Sequence, residues 1–437
     1  MQFRPFSACQ TNKPTVSSNH MTRIRLKKQA GLPSFYAWQL HHLQQSGYFL
    51  ARCKNHVNQA SISTTYLSDV VQVRVAPANE QRRVVSAIEQ QFSRLDSGVV
   101  ALERVQTNLK RYRTAVLKAA VEGRLTEAWR EENPNVEPAS ELLERILKER
   151  RERWERDQLA AFEKKDKKPP KNWRSKYKAP AVLVVEEIFA ALPEWWIWSS
   201  IGQCFEVRVG ATPSRSRPDF WGGEIPWVSS GEVQFCRIAD TKEHITEAGL
   251  ANSSTRINPE GSVLLGMIGE GRTRGQVAIQ DVQAANNQNC AAILVTETRI
   301  VPEYVYYWLW SRYEVTRSAG SGNNQPALNK TKVRTLPLAL PPLAEQKVIV
   351  AEIERRLSIL REVEAEVEAN LKRAARLRQS ILRLAFEGKL VPQDPNDEPA
   401  SELLARIRAG REQSAPAKRR KKIPARDEPV EAQAGLF

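Results

Sequence analysis

The residues best suited by type and spacing to do chemistry lie in Gly269-Glu270-Gly271-Arg272-Thr273-Arg274-Gly275, where close glycines and basic side chains could cradle a phosphate. A nucleotide-binding loop needs its glycine-rich turn to end in Lys-Ser or Lys-Thr, and a dinucleotide fold needs a different glycine spacing. This run has neither and reads as the tip of a basic hairpin. No Asn-Pro-Pro-aromatic or Asp-Pro-Pro-aromatic tetrad of an amino-methyltransferase occurs, because Asn133-Pro134 and Asn258-Pro259 are followed by other residues. No Gly-x-Ser-x-Gly elbow supports a serine hydrolase. Cys9, Cys53, Cys204, Cys236 and Cys290 are odd in number and far apart, which fits reduced thiols and not a disulfide frame or a zinc site. His41 and His42 are adjacent, so on a helix they point to different faces and make a poor shared metal site. The sequence therefore reads as no enzyme.

What remains is charge. A net charge of +16 and a pI near 9.7 point to a polyanionic partner, of which nucleic acid is the commonest. The start has no apolar run of signal-peptide length, and no stretch has the twenty or so apolar residues of a membrane span, so a cytoplasmic location with no membrane partner is expected.

Two long helices must position whatever binds. One is predicted from residue 80 to about 120 and the other from 345 to about 385. Val85, Ile88, Phe92, Leu95, Val99, Leu102, Leu109 and Val116 step by three, four or seven, as do Val350, Ile353, Leu357, Leu360, Val367, Leu371, Ala374 and Ile381. A narrow apolar stripe with charged flanks must be covered by a partner, and the other copy is at hand. The helices are repeats. Ala78-Asn79-Glu80-Gln81 recurs as Leu343-Ala344-Glu345-Gln346, Val121-Glu122-Gly123-Arg124-Leu125 as Phe386-Glu387-Gly388-Lys389-Leu390, and after a four-residue slip Glu137-Pro138-Ala139-Ser140-Glu141 as Glu398-Pro399-Ala400-Ser401-Glu402. Antiparallel pairing is expected, because it relates the halves by a pseudo-twofold axis.

Between the helices, residues 140–165 read as a charged helical arm with Leu143, Ile146 and Leu147 as a weak stripe. The basic linker that follows, from Lys164 through Trp173, could be a phosphate-contacting strap or a solvated tether. Short apolar runs at 262–268, 276–279 and 291–295 alternate with glycine and asparagine clusters, which predicts a mixed sheet with helices. Tyr36, Trp38, Leu40 and Leu43 read as a helical face like that of Tyr304, Tyr307, Trp308 and Trp310.

Three features in this order resemble the specificity subunit of a type I restriction-modification system. The first is Gly210-Ala211-Thr212-Pro213-Ser214-Arg215 followed by Phe220-Trp221-Gly222-Gly223-Glu224-Ile225-Pro226-Trp227-Val228. The second runs from Asn324-Gln325-Pro326-Ala327-Leu328-Asn329 to Leu340-Pro341-Pro342-Leu343-Ala344-Glu345-Gln346. The third is the Glu-Gly-basic-Leu ending of both helices.

The resemblance implies an α+β protein with mixed α/β target recognition domains, separated by two long helices that form an antiparallel coiled coil. It divides the chain into 1–79, the C-terminal part of a first recognition domain, incomplete because the opening tract has no counterpart there; 80–125, the first long helix; 126–192, the arm and basic linker; 193–341, a complete second recognition domain; 342–390, the second long helix; and 391–437, a short helix and a disordered basic tail. It further implies sequence-specific binding of double-stranded DNA, with adenine methylation and restriction carried out by methyltransferase (M) and restriction (R) subunits, to which S-adenosylmethionine, ATP and Mg would belong. The chain itself would hold no cofactor. For contact with bases and phosphates, Arg215, Arg217, Arg256, Arg272, Arg274, Lys330 and Lys332 are the candidates, since arginine pairs bidentately with guanine and both types neutralise phosphate. Trp221 and Trp227 could stack on bases, but the Pro226-Trp227-Val228 step after two glycines reads as strand entry, which favours both as core of the opening turn. Two other readings stay open: a subunit that reads one half-site, and a coiled-coil scaffold that reads no DNA.

Overall fold

The computed structural model describes residues 24–26, 30–52, 54–56, 59–180, 191–269, 271–318 and 327–412. The polar start before residue 24, the basic tail around Lys418-Arg419-Arg420 expected to be disordered, Cys9, Cys53 and the Asn324-Gln325-Pro326 step lie outside these residues.

The helices in chain order are α1 (Pro33–Gln45), α2 (Thr64–Asp69), α3 (Ala78–Val121), α4 (Glu127–Glu132), α5 (Ala139–Glu163), α6 (Ile201–Cys204), α7 (Glu247–Ala251), α8 (Pro302–Ser311), α9 (Tyr313–Ser318), α10 (Lys330–Thr335), α11 (Leu343–Phe386) and α12 (Ala400–Glu412). The strands are β1 (Lys54–His56), β2 (Gln59–Ser61), β3 (Ile197–Ser200), β4 (Val207–Val209), β5 (Trp221–Val228), β6 (Cys236–Ile238), β7 (Glu243–Ile245), β8 (Val263–Gly266), β9 (Val277–Gln280), β10 (Ala285–Asn286), β11 (Cys290–Ile293) and β12 (Pro337–Leu340). The mixture is α+β, as the resemblance implies. The chain divides into two compact units: a terminal unit, Met1–Arg104 with Val367–Phe437, and a central unit, Val105–Glu366.

In the central unit a five-stranded sheet of order β4-β11-β8-β9-β6 forms the core. Every residue of β8, β9 and β11 is buried, which is why these strands read as continuous apolar runs with no alternation. A second sheet has the order β10-β5-β7. β5 carries an irregularity between Trp221 and Ile225. The paired glycines there have separate reasons: Gly222 has φ +78°, and a Cβ on Gly223 would come 2.5 Å from the Ile245 carbonyl. The Pro-Trp-Val step, predicted to open a strand, closes β5 instead, because these glycines let the strand begin at Trp221.

The two ends of the segment 193–341 meet as β3 and β12, paired antiparallel from Pro337 with Ser200 to Leu340 with Ile197. Ser200 caps α6 in a reciprocal capping box with Gln203. α8 lies against β12 and donates the Tyr304 hydroxyl to the Ala339 carbonyl at 2.6 Å and the Trp308 indole N–H to the Pro337 carbonyl at 2.8 Å. The aromatic richness of this stretch thus combines large apolar area with polar tips that satisfy buried carbonyls.

The arm is not free. α5 buries Ala139, Leu142 and Ile146, a stripe shifted from the predicted Leu143, Ile146 and Leu147. Its Arg150 donates to the Gly202 carbonyl at 2.7 Å, and Arg153 pairs with Glu297 at 2.6 Å. The basic linker folds back on the arm, with the buried Trp173 stacked 5.8 Å from Trp154.

α3 and α11 each run 44 residues. Within the central unit Arg113 pairs with Glu364 at 2.6 Å, while Arg130, just after α3, pairs with Glu345 at the start of α11. Residue numbers rise on one strand as they fall on the other, so the helices run antiparallel there. Within the terminal unit Asp96 pairs with Arg378 and Arg83 with Asp397, again antiparallel. Val84, Val85, Ile88 and Phe92 of α3 share that unit's core with Ile381, Leu382, Ala385 and Phe386 of α11 and with Phe35 and Tyr36 of α1. On α1 the buried face is Phe35, Tyr36, Gln39 and Leu40, one step from the predicted face, and Leu43 is half-exposed. Among the described residues no helix is long and apolar enough to cross a membrane.

Candidate nucleic-acid interface

The candidate basic residues all belong to the central unit, and one short turn, residues 286–289, ties their backbones together. Asn286 is buried, and its side chain is used on both faces. It donates to the Asn287 and Cys290 carbonyls, each at 2.9 Å, and accepts from Asn258 Nδ2 at 2.8 Å. Its carbonyl accepts the Ala211 N–H at 3.0 Å and the Thr255 hydroxyl at 3.0 Å. The Arg215 loop and the Arg256 segment are therefore fastened to one atom. Gly210 is required for this approach, since a Cβ there would lie 1.8 Å from the Asn286 carbonyl oxygen. Thr212 donates to the exposed Gln288 Oε1 at 2.5 Å.

The same turn reaches the other candidates. Met267 N–H donates to the Asn289 carbonyl at 2.8 Å, and Leu328 N–H donates to the Met267 carbonyl at 2.9 Å. Met267 begins the turn from β8 to β9 that carries Arg272, and Leu328 precedes α10 with Lys330 and Lys332. Asn329 caps α10 by accepting Lys332 N–H. Tyr313 of α9 donates its hydroxyl to the Arg272 carbonyl at 2.8 Å and so fixes the hairpin tip.

The charges divide into three kinds. Arg256, Arg272 and Lys330 are exposed, and among the described residues no carboxylate pairs with them. Arg215 and Arg217 are exposed but already paired, with Glu243 (2.9 Å for one of the two bonds) and Asp219 (2.8 and 2.9 Å) respectively. Each guanidinium holds its carboxylate below the usual range. Arg215 also lies 3.8 Å from the centre of the Trp221 ring. Arg274 corrects the sequence reading. It is 8% exposed and donates Nε–H to the Arg317 carbonyl at 3.1 Å, so it anchors α9 and offers nothing outward. Lys332 is half-buried and engaged within the fold.

Trp227 is core, 2% exposed, with its indole donating to the Ala211 carbonyl, and Trp221 packs edge-on against it at 5.1 Å. Sequence reasoning missed the organising role of residues 286–289. The signal available was the polar run Asn286-Asn287-Gln288-Asn289 between two apolar stretches, which is held in place by side-chain and backbone bonds to segments remote in the chain that no sequence pattern shows. Among the described residues no group of three or more His, Cys, Asp or Glu side chains could hold a metal ion. The arrangement can do two things: neutralise phosphates with the exposed cations and present Arg, Gln and Thr side chains to base edges.

The profile of the type I restriction modification DNA specificity domain matches residues 193–373, a span that holds every candidate residue. The type I restriction enzyme EcoAI specificity subunit of Escherichia coli is 27% identical over 356 residues, covering 68% of this chain and 55% of that one. The chain thus matches little more than half the length of this relative. The EcoDI specificity subunit, also of Escherichia coli, is 23% identical over 366 residues, covering 81% of this chain and 72% of that one. A solved structure concerned with complex assembly and conformational transition of the type I R-M system shares the fold, with a TM-score of 0.55 at 15% identity over 84% of this chain and 74% of that one.

Proposed function

We propose that this chain is a specificity subunit of a type I restriction-modification system, and that it binds double-stranded DNA through the rim of its central unit around residues 286–289 and reads a base sequence there. Arg256, Arg272 and Lys330 are assigned to phosphate. Arg215 and Arg217 are assigned to base edges, their carboxylate partners holding the guanidinium planes in place until DNA competes for them. The observation that carries this reading is that five exposed cations lie on four separate segments, three of which bond directly to the turn at 286–289 through Ala211, Thr255 and Met267 and the fourth through Leu328 and Met267, inside the span that matches the DNA specificity domain. A rigid rim of this kind fixes contacts in register along a duplex.

Adenine methylation and cleavage are assigned to partner methyltransferase and restriction subunits, together with S-adenosylmethionine, ATP and Mg. The two long helices, repeated in sequence, are assigned to subunit assembly. The test is the N6-methyladenine pattern of a methylation-free host that expresses this chain with its cognate methyltransferase subunit. The expected result is a defined motif that loses definition when Arg215 or Arg217 is changed to Ala. Absence of methylation from an assembled complex, or a motif indifferent to both changes, would sink the reading. A motif in two separated parts would add base contacts outside the central unit, and a single part or a palindrome would confine them to it.

A further inference from the structure

The positive charge of the central unit is concentrated at one place that the rim does not include. Residues 164–178 hold seven lysines and Arg174 against the single carboxylate of Asp166, a net +7 of the chain's +16. α5, which leads into this stretch, is close to neutral, with six cations against seven carboxylates. The charge therefore sits at the tip of the arm. All eight cationic side chains are exposed, and among the described residues Arg174 is the one that pairs with a carboxylate, Glu155 at 3.3 Å. Like charges this close repel one another, so the stretch is held together against its own electrostatics.

What holds it is a small core of its own. Lys167 N–H donates to the Phe162 carbonyl at 3.0 Å and Asp166 N–H to the Glu163 carbonyl at 2.9 Å, while Asp166 takes a left-handed φ of +50°. That bond pair ends α5 in a fixed turn. Pro169 and Pro170 stiffen the next step, and the N–H groups of Trp173 and Ser175 close turns on the Pro170 and Asn172 carbonyls at 3.0 and 3.2 Å. Trp173 is buried, stacked 5.8 Å from Trp154 and edge-on to Phe162 at 6.4 Å, and Tyr177 packs 5.3 Å from Trp154. A solvated tether needs no buried tryptophan; here the rings seat the lysines on the arm. The arm in turn is fastened near the rim. Arg153 pairs with Glu297, which Arg208 of β4 also approaches at 3.6 Å, and β4 runs directly into Gly210. A helix rise of about 1.5 Å and a strand rise of about 3.3 Å per residue, with the side chains between, put the lysines within about 45 Å of the rim, little more than one duplex turn of about 34–36 Å.

We propose that residues 164–178 are a second DNA site of a different kind from the rim, a preformed surface that grips duplex phosphates beside the recognised bases without reading sequence. Seven lysines to one arginine suit that role, since an ammonium is a hydrated point charge and lacks the planar fork that pairs with a base edge or carboxylate. A duplex offers one negative charge per about 1.7 Å of its axis, a density that matches the cluster. A protein partner would need an apolar anchor, and between residues 164 and 178 the large rings turn in to the arm and none is exposed. Because the lysines are already seated, less chain entropy is lost on binding than a loose tether would lose. This site rests on the reading of the chain as a DNA-binding subunit and adds contacts that the rim cannot make.

The test uses the whole chain and a fluorescein-labelled duplex of mixed sequence, about 40 base pairs long, so that at about 3.4 Å per pair it extends past both surfaces. Anisotropy titrations over a range of salt give the slope of log K against log salt. Changing Lys164, Lys165, Lys167 and Lys168 together to Gln should flatten that slope by about 1.8–3.6, which is two to four phosphates at about 0.9 each, and by the same amount on a second, unrelated duplex. A control with Lys118, Lys347, Lys372 and Lys389 changed to Gln carries the same net charge and should keep the slope of the unaltered chain. Trp173→Ala keeps all eight cations but unseats them, and should weaken binding about threefold or more. An unchanged slope in the first variant overturns the proposal; with loss of co-purification of the methyltransferase subunit, it would assign the lysines to an acidic protein surface. Equal flattening by the control would reduce the effect to net charge, and indifference to Trp173→Ala would make the stretch a charged tether; either overturns it. Arg256→Ala and Arg272→Ala, measured alongside, separate the two sites: a slope moved by the lysines and not by these refutes the rim alone, and the reverse refutes the lysine site alone.

Discussion

Glu345→Gln keeps the shape of a side chain that is 0% exposed and removes its charge. The carboxylate accepts from Thr126, Arg130 and the Trp196 indole at 2.5–2.7 Å, so whichever way the new amide sits, its NH2 faces a donor. Arg130 is itself only 14% exposed and would be left with an uncompensated charge. Removing one partner of a buried ion pair costs about 3–5 kcal/mol. For a unit of this size that lowers the melting midpoint by about 6–20 °C. Glu80→Gln is the internal control, since its single long bond to an amide predicts a loss below about 1 kcal/mol. Urea titration followed by tryptophan fluorescence, with calorimetry alongside, measures both variants. Adding Arg130→Met to Glu345→Gln should recover part of the loss, because the stranded charge goes with it. Equal costs for the two glutamates, or a cost below about 1 kcal/mol for Glu345→Gln, would refute the assignment of Glu345 as the buried acceptor of that junction.

Arg256→Ala and Arg272→Ala should each reduce the slope of log K against log salt for DNA binding by about 0.9 and leave the melting curve in place. Arg274→Ala should do the reverse, costing about 1–3 kcal/mol of stability by stranding the Arg317 carbonyl, with the salt slope unchanged. Gly210→Ala forces a methyl against the Asn286 carbonyl and should cost about 1–3 kcal/mol while weakening DNA binding, measured by urea titration and by filter binding. Cys204 is buried and its thiol is pushed up to about 11, so at pH 8 it stays protonated; Cys290 is buried and raised further. Iodoacetamide on the native chain at pH 8 should therefore label the half-buried Cys236 before either, with peptide mass spectrometry as the readout.

Much of this protein was legible in one dimension. The long helices announce themselves because a stripe stepping by three and four survives any tertiary context, and their ends fall within two residues of expectation at Ala78–Val121 and Leu343–Phe386. The buried strands β8, β9 and β11 were visible as apolar runs, and the hairpin tip between β8 and β9 as a glycine-rich break. Composition marked the chain as basic, and the order of motifs pointed to the family whose DNA specificity domain matches residues 193–373. The fate of each charge was not legible, because burial depends on what another segment brings to it. Arg272 and Arg274 are two residues apart in one glycine-rich turn, yet one is exposed and the other turns in to the Arg317 carbonyl, 43 residues away in the chain. The turn at 286–289 gathers the rim through backbone acceptors, which every residue possesses and no sequence pattern advertises. The repeat supplied identical letters at Glu80 and Glu345, and only the fold decided that the Trp196 indole, 149 residues away in the chain, donates to the Glu345 carboxylate, since a buried partner is set by which remote segment packs there and not by the residues that line the site.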